Sequence, residues 1–197
     1  MATPTASGLL SPEEFRSLLD AIRAHSRAAT ESIAAGHGAL PAYPLPDHLE
    51  PARLDRLPQP VRDVFDDFGR APMRDQLLDN EQRLAPAADR CASGRMSRAD
   101  FADLIARQIA DDKTRFHATT DDLTTRLCDL GDEYPDSRVT IVNAMESYLE
   151  FAPGLWNQVY DYLIELEQDC RQLWPGVPSY FDGFRNEVEE FFVGLTS

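Results

Sequence analysis

A run of apolar residues spaced alternately three and four positions apart constrains the fold more than any other feature of this chain. Its members are Val142, Met145, Leu149, Ala152, Trp156, Val159, Leu163, Leu166, Cys170 and Leu173. On an α-helix this spacing keeps the side chains on one face, which packs against other helices. The sequence shows no convincing two-residue alternation of the kind that indicates β-strands. We therefore predict an all-α fold, a single helical bundle.

Helix caps and helix-breaking residues divide the pattern into six or seven predicted helices. Ser11 and Pro12 mark the start of the first helix, and Ser97 marks the start of the longest one. Glycines and prolines separate the others. After a first helix that ends before residue 36, the predicted spans are 60–68, 72–84, 97–130, 137–152, 154–174 and 179–194. We expect one α-helical domain at 11–197, preceded by a disordered lead at 1–10.

A proline-rich segment at 41–60 follows the first helix. Its prolines forbid a continuous helix, because each lacks a backbone N–H and restricts the residue before it. We predict an extended strap that lies over the bundle and contacts it through Tyr43, Leu45 and Leu49. The alternative is a mobile linker, but a linker would not need those apolar residues.

Acidic residues are concentrated in the second half of the chain. The formal net charge of the 197 residues is −15, and residues 97–197 form an acidic, aromatic-rich half. Such a field repels nucleic acid and anionic membranes and attracts basic proteins. The alternative is that the charge serves solubility alone. Arginine outnumbers lysine strongly, which suggests a GC-rich bacterial source.

Two Asp-Asp pairs stand ten residues apart in IADDKTRFHATTDDL, residues 109–123. On a helical wheel, Asp111 and Asp122 share an exposed flank with arginines, which is typical of a salt-bridge ladder, and Asp121 faces water. Asp112 falls instead in the middle of the apolar stripe, where a carboxylate is costly unless it is paired or hydrogen-bonded. Three interpretations stay open for Asp112: a wet groove, an arginine from another helix, or a pocket with a functional role.

The predicted 154–174 helix carries an acidic stripe whose negative charge is not balanced by basic residues. Asp161, Glu165 and Asp169 recur every four residues without a basic residue on that face. Like charges at this spacing disfavour a helix, so they indicate either a solvated face or a surface for a basic partner. The other candidate partner-binding residues are Tyr160, Ile164, Glu187, Glu189 and Glu190.

Motifs for common catalytic and cofactor sites are missing from the sequence. It contains no HExxH, GxSxG, P-loop or GxGxxG, and no Glu-x-x-His pair for a di-iron site. Cys91, Cys128 and Cys170 are far apart and odd in number, which suits a reducing compartment and argues against a disulfide framework. We predict no metal and no cofactor, and no apolar run approaches the length of a membrane span.

The leading interpretation is a cytoplasmic protein-binding module or inhibitor of the immunity, antitoxin or adaptor type. Its acidic and aromatic C-terminal helices would capture a basic protein, without binding nucleic acid directly. The alternative is a helical-bundle enzyme that depends on a small ligand or metal and places Asp112 in a pocket. The sequence leaves homo-oligomerisation open.

Overall fold

The computed structural model describes residues 10–34, 43–46, 49 and 57–196, and every regular element among them is helical. Five helices form the bundle in this part of the chain. Their bounds are α1, Pro12–Ala34; α2, Gln59–Phe65 continued as Ala71–Ala92; α3, Arg98–Glu133; α4, Arg138–Gln168; and α5, Val177–Thr196. The all-α prediction is confirmed, but the predicted count of six or seven helices is wrong.

Helix α2 is longer than predicted because neither Gly69 nor Pro86 ends it. Its two segments join through a π-helical turn, Asp66–Arg70, in which the N–H of Ala71 donates to the carbonyl of Asp66. Gly69 is buried in that turn, and a Cβ there would lie 3.0 Å from the Phe192 ring. An alanine there would therefore require the Phe192 ring to shift by a few tenths of an ångström.

Helix α4 also continues through a predicted break, at Pro153. Pro153 is buried inside the helix, and the neighbouring Ala152, Leu155 and Trp156 are buried as well. Packing on both sides of the proline outweighs the backbone hydrogen bond that it removes. From Val142 to Leu166 the apolar stripe therefore forms one continuous buried face of α4, whereas Cys170 and Leu173 lie in the turn after this helix.

The N-terminal end of α1 is fixed at both its cap and its core contact. Ser11 and Glu14 form a reciprocal capping box, with Glu14 N–H donating to Ser11 Oγ at 3.2 Å and Ser11 N–H donating to Glu14 Oε2 at 2.9 Å. Phe15 packs so closely on Gly131 that a Cβ there would lie 2.1 Å from the ring. Gly131 is thus needed for packing, and α3 runs past it to Glu133 rather than ending there.

The described part of the predicted strap lies against the bundle. Tyr43 and Leu45 are partly buried against the core, and Leu49 is buried. Residues 41–42, 47–48 and 50–56 of the predicted strap fall outside the described residues. So do residues 1–9 of the predicted lead (1–10), whose last residue, Leu10, is described and buried in the core. Among the helices that the structure describes, none combines the length and the apolar character that crossing a membrane requires.

Candidate functional site

A groove of about 600 Å³ lies between the C-terminal half of α4 and the N-terminal half of α5. We call it the acidic groove. It is lined by Gln158, Asp161, Tyr162, Glu165, Ser179, Tyr180, Gly183, Phe184 and Glu187. None of these lining residues is basic.

The short connection after α4 brings the two walls of the acidic groove together. Helix α4 ends at Gln168, and Asp169 then leaves the helical conformation with φ −137° and ψ 61°. A single turn, Cys170–Leu173, and a 3₁₀ turn, Trp174–Gly176, lead into α5. The Asp169 side chain accepts a hydrogen bond from the Gln172 N–H at 3.3 Å and so caps this turn.

Three carboxylates surround the acidic groove. Asp161 and Glu165 are exposed one turn apart on α4, and Glu187 is half-buried on α5. None of the ion pairs in the described part of the chain involves them, although Asn157 Nδ2 donates to Asp161 Oδ2 at 3.2 Å. Arg185 lies two residues before Glu187, but it pairs with Glu81 at 2.6 Å and with Asp182. The groove therefore keeps a concentrated negative charge.

Aromatic side chains form the floor of the acidic groove. Tyr180 is 46% exposed and stacks on Tyr162, with ring centroids 4.1 Å apart and an interplanar angle of 20°. Tyr162 is only 4% exposed, and its hydroxyl has no hydrogen-bond partner among the described residues. Burial raises the pKa of Tyr162, so this hydroxyl stays protonated. An occupant would meet the exposed Tyr180 side chain between carboxylates.

The acidic groove contains three of the sequence-predicted partner-binding residues: Asp161, Glu165 and Glu187. Ile164 and Glu190 are exposed but do not line it. Its aromatic residues Tyr162, Tyr180 and Phe184 were not identified as site residues from the sequence. The sequence signal that could have found them is their position on two acidic helices that a short turn joins.

Three other predicted partner-binding residues have different environments. Asp169 caps the turn after α4, because the helix ends before the acidic stripe is complete. Glu189 faces α2, where it lies 3.5 Å from Arg70 and 3.6 Å from Arg74. Tyr160 is buried in the core, so the prediction that it contacts a partner is wrong for the folded chain.

Asp112 lies in a second site and is itself fully buried. Its Oδ1 accepts hydrogen bonds from Gln76 Nε2 at 2.9 Å and from Gln108 Nε2 at 3.0 Å. Its Oδ2 accepts one from Asn80 Nδ2 at 2.7 Å. Gln108 Nε2 also donates to Asn80 Oδ1 at 2.5 Å. We call these four residues the carboxamide cluster, and they join α2 to α3.

The carboxamide cluster excludes two of the three interpretations that the sequence left open for Asp112. It is not a wet groove, because Asp112 is fully buried, and no arginine pairs with Asp112 in the described residues. Arg115, one turn away, pairs with Asp79 at 2.9 Å. A carboxylate that accepts three amide hydrogen bonds is a satisfied buried group, and the cluster positions α2 against α3.

Burial dominates the electrostatics of the carboxamide cluster. It raises the pKa of Asp112 from 3.8 to about 6, although the three amide hydrogen bonds stabilise the charged form and act in the opposite direction. Tyr160 lies close enough for the Asp112 charge to add to the effect of burial, and both raise the pKa of Tyr160. The Tyr160 hydroxyl has no hydrogen-bond partner among the described residues.

The remaining aspartates of the 109–123 stretch hold helices together or face solvent. Asp121, predicted to face water alone, is hydrogen-bonded to Arg23 at 3.4 Å and paired with Arg27, both on α1. Asp111 and Asp122 are exposed. Within the described ranges, no three His, Cys, Asp or Glu side chains are grouped as metal ligands would be.

Comparisons with known proteins give no relative from which a function could be transferred. No protein-family model matches the chain, and neither the curated proteins nor the solved structures contain a significant match. The geometry and the charge of the two sites are therefore the observations that bear on function.

Proposed function

We propose that this protein is a non-catalytic binding protein whose acidic groove captures a basic segment of a partner protein. The observation that carries the proposal is the groove itself, in which three carboxylates surround an exposed tyrosine and no lining residue is basic. An immunity protein, an antitoxin-like inhibitor or an adaptor would use such a surface. The proposed compartment is the cytoplasm.

Charge complementarity defines the chemistry of the occupant. Asp161, Glu165 and Glu187 have no basic partner in the described structure, so a lysine or arginine from another chain would supply the missing counter-charge. A surface of one sign also steers a partner of opposite sign and speeds its association. The excess acid of the whole chain, with net charge −15, acts in the same direction.

The aromatic floor favours arginine over a diffuse basic surface. The exposed face of Tyr180 is available for the planar stacking that a guanidinium makes with an aromatic ring. Tyr162 stacks on the same ring, with centroids 4.1 Å apart, and helps to fix its orientation. Two features, the unpaired carboxylates and the exposed Tyr180 ring, thus support the same class of occupant.

The size of the acidic groove limits what it can hold. A volume of about 600 Å³ accommodates a few side chains rather than a folded domain. The groove would therefore receive a short basic segment, and the surrounding exposed surface would add the remaining contacts. Because the carboxylates are solvent-exposed, binding should weaken as salt increases.

The test is the affinity of a fluorescent arginine-rich peptide, measured by anisotropy at low and moderate ionic strength. Neutralising the groove with Asp161→Asn, Glu165→Gln and Glu187→Gln together should weaken binding by about tenfold or more. The matched control changes the same number of charges on exposed α3 residues, with Asp103→Asn, Asp111→Asn and Asp129→Asn. This control should retain most of the affinity.

Equal losses in the groove variant and the control variant would overturn the proposal, since they would show attraction to overall charge alone. A second comparison isolates the aromatic floor. Tyr180→Ala should weaken binding of the arginine peptide, whereas Ile164→Ala, at an exposed apolar residue outside the groove lining, should not.

A further inference from the structure

Two cysteines that are far apart in the sequence meet in the core. Cys91, near the end of α2, and Cys170, in the turn after α4, are separated by 79 positions, and their Sγ atoms lie 2.8 Å apart. Both are buried, with exposed fractions of 5% and 3%. Two sulfur atoms at this distance are closer than unbonded sulfurs normally approach, and a small movement would bring them to the bonding distance of about 2.0 Å.

We propose that Cys91 and Cys170 form a reversible disulfide that fastens the connection between α4 and α5 to the end of α2. The oxidant is a small-molecule disulfide of the glutathione class. This inference rests on the cysteine pair and does not depend on the proposed binding function.

The reaction is thiol–disulfide exchange in two steps. A Cys170 thiolate attacks one sulfur of glutathione disulfide, so a mixed disulfide forms and one glutathione thiolate leaves. The Cys91 thiolate then attacks the Cys170 sulfur of the mixed disulfide and releases the second glutathione. The two protons from the protein thiols pass to the two departing glutathiones. The protein loses two electrons, and glutathione disulfide gains them.

The surroundings of the pair predict a slow reaction at neutral pH. Burial, assisted by the neighbouring Cys170, raises the pKa of Cys91 to about 11, so little thiolate is present. Arg98 and Arg171 lie near enough to oppose this shift. Their guanidinium groups would also attract the carboxylates of glutathione.

Cys170 is the more accessible partner once the fold opens locally. It begins a single helical turn between the break at Asp169 and the 3₁₀ turn Trp174–Gly176. A turn with so few backbone hydrogen bonds opens more readily than a long helix. Opening it would expose Cys170 while Cys91 stays within α2, which ends at Ala92.

Cys128 provides an internal control for this proposal. It is the most exposed of the three cysteines, half-buried on α3. Its partial burial raises its pKa, and nearby Asp20 and Asp129 add to this effect. If oxidation simply followed accessibility, Cys128 would react first and form mixed or intermolecular disulfides. The geometry instead assigns the intramolecular bond to the two most buried thiols.

In the experiment, the full chain is equilibrated with reduced and oxidised glutathione at several ratios. Free thiols are then alkylated, the protein is digested with trypsin without a reductant, and the peptides are identified by mass spectrometry. The expected product joins peptide 91–95 to peptide 139–171, while peptide 127–138, which contains Cys128, is alkylated or carries glutathione. The oxidised protein should melt about 10 °C higher than the reduced protein, because the bond closes a long loop. Adding excess reduced glutathione should reverse both changes.

Cys170→Ala should abolish the cross-linked peptide and the melting shift, whereas Cys128→Ala should leave both unchanged. If a variant fails to fold, the tryptic peptide map of the oxidised wild-type protein still shows whether the Cys91–Cys170 bond forms. The proposal would be overturned if the fully oxidised protein, once unfolded and then alkylated, carried the alkyl group on both Cys91 and Cys170. A cross-link from either cysteine to Cys128 in equal yield would overturn it as well.

Discussion

The acidic groove and the carboxamide cluster both hold carboxylates without a basic partner in the described structure, yet their surroundings are opposite. Asp161 and Glu165 are exposed to water, whereas Asp112 is buried and accepts hydrogen bonds from three amide donors. A solvated carboxylate can exchange water for a ligand, but a fully coordinated one has nothing to exchange. The difference separates a surface that can bind from an interior group that positions helices.

The pH dependence of stability should expose this difference most strongly. The folded-state pKa of Asp112 is about 6, above the ordinary 3.8, so the folded protein binds this proton more tightly than the unfolded chain. The resulting stabilisation is present below pH 4 and is lost as the pH rises through 6, by about 3 kcal/mol. Asp112→Asn should remove this component from urea unfolding measured between pH 4 and pH 7.

Asp103→Asn, an exposed change on the same helix, is the control for that experiment. Its unfolding free energy should follow the wild-type pH profile. If the difference between wild type and Asp112→Asn stays constant across the pH range, Asp112 does not titrate as the buried geometry requires.

A pair of amide substitutions compares the two sites directly. Asn80→Ala removes the donor to the buried Oδ2 of Asp112, and it should cost about 2 kcal/mol of unfolding free energy at neutral pH. Asn157→Ala removes the donor to Asp161 at the groove, where water replaces it, and it should cost about 0.5 kcal/mol or less. Urea unfolding at one pH measures both. Equal costs would mean that the two carboxylates are equally solvated.

The smallest expected effect is that of groove neutralisation on stability. Asp161 and Glu165 are like charges one turn apart, so replacing both with Asn and Gln should stabilise the protein by about 0.5 kcal/mol or less. Thermal unfolding at low salt measures this gain. A marked loss of stability would show that these carboxylates have a structural role, and it would weaken their assignment to binding.

Sequence patterns predict the parts of this molecule that depend on local spacing. The three-and-four spacing from Val142 to Leu166 identifies the core face of α4, and a helical wheel of α3 identifies Asp112 as a misplaced carboxylate. Asp161 and Glu165 are recognisable because a four-residue repeat places both on one exposed face. The prediction misses at Asp169, where the helix ends one residue too early for the repeat to continue.

Contacts between distant residues could not be read from one sequence. Nothing in the spacing of Gln76 and Asn80 says that they face Asp112, because helix propensities do not specify which helices pack together. For the same reason the contact between Cys91 and Cys170, which are 79 positions apart in the sequence, could not be predicted. The predicted helix break at Pro153 is wrong for a related reason, since the packing that keeps α4 helical comes from the rest of the bundle.

The π-helical turn Asp66–Arg70 keeps the buried residues on either side of it on the same face of α2. The buried residues Val61, Phe65, Gly69 and Met73 follow one another at intervals of four, which on a regular α-helix would rotate each by about 40° from the last. A π turn holds an extra residue and absorbs much of that rotation. Deleting one residue from it would turn one half of α2 by about 100° against the other. The helical register of Asn80 is therefore set by five residues that donate none of the hydrogen bonds to the Asp112 carboxylate.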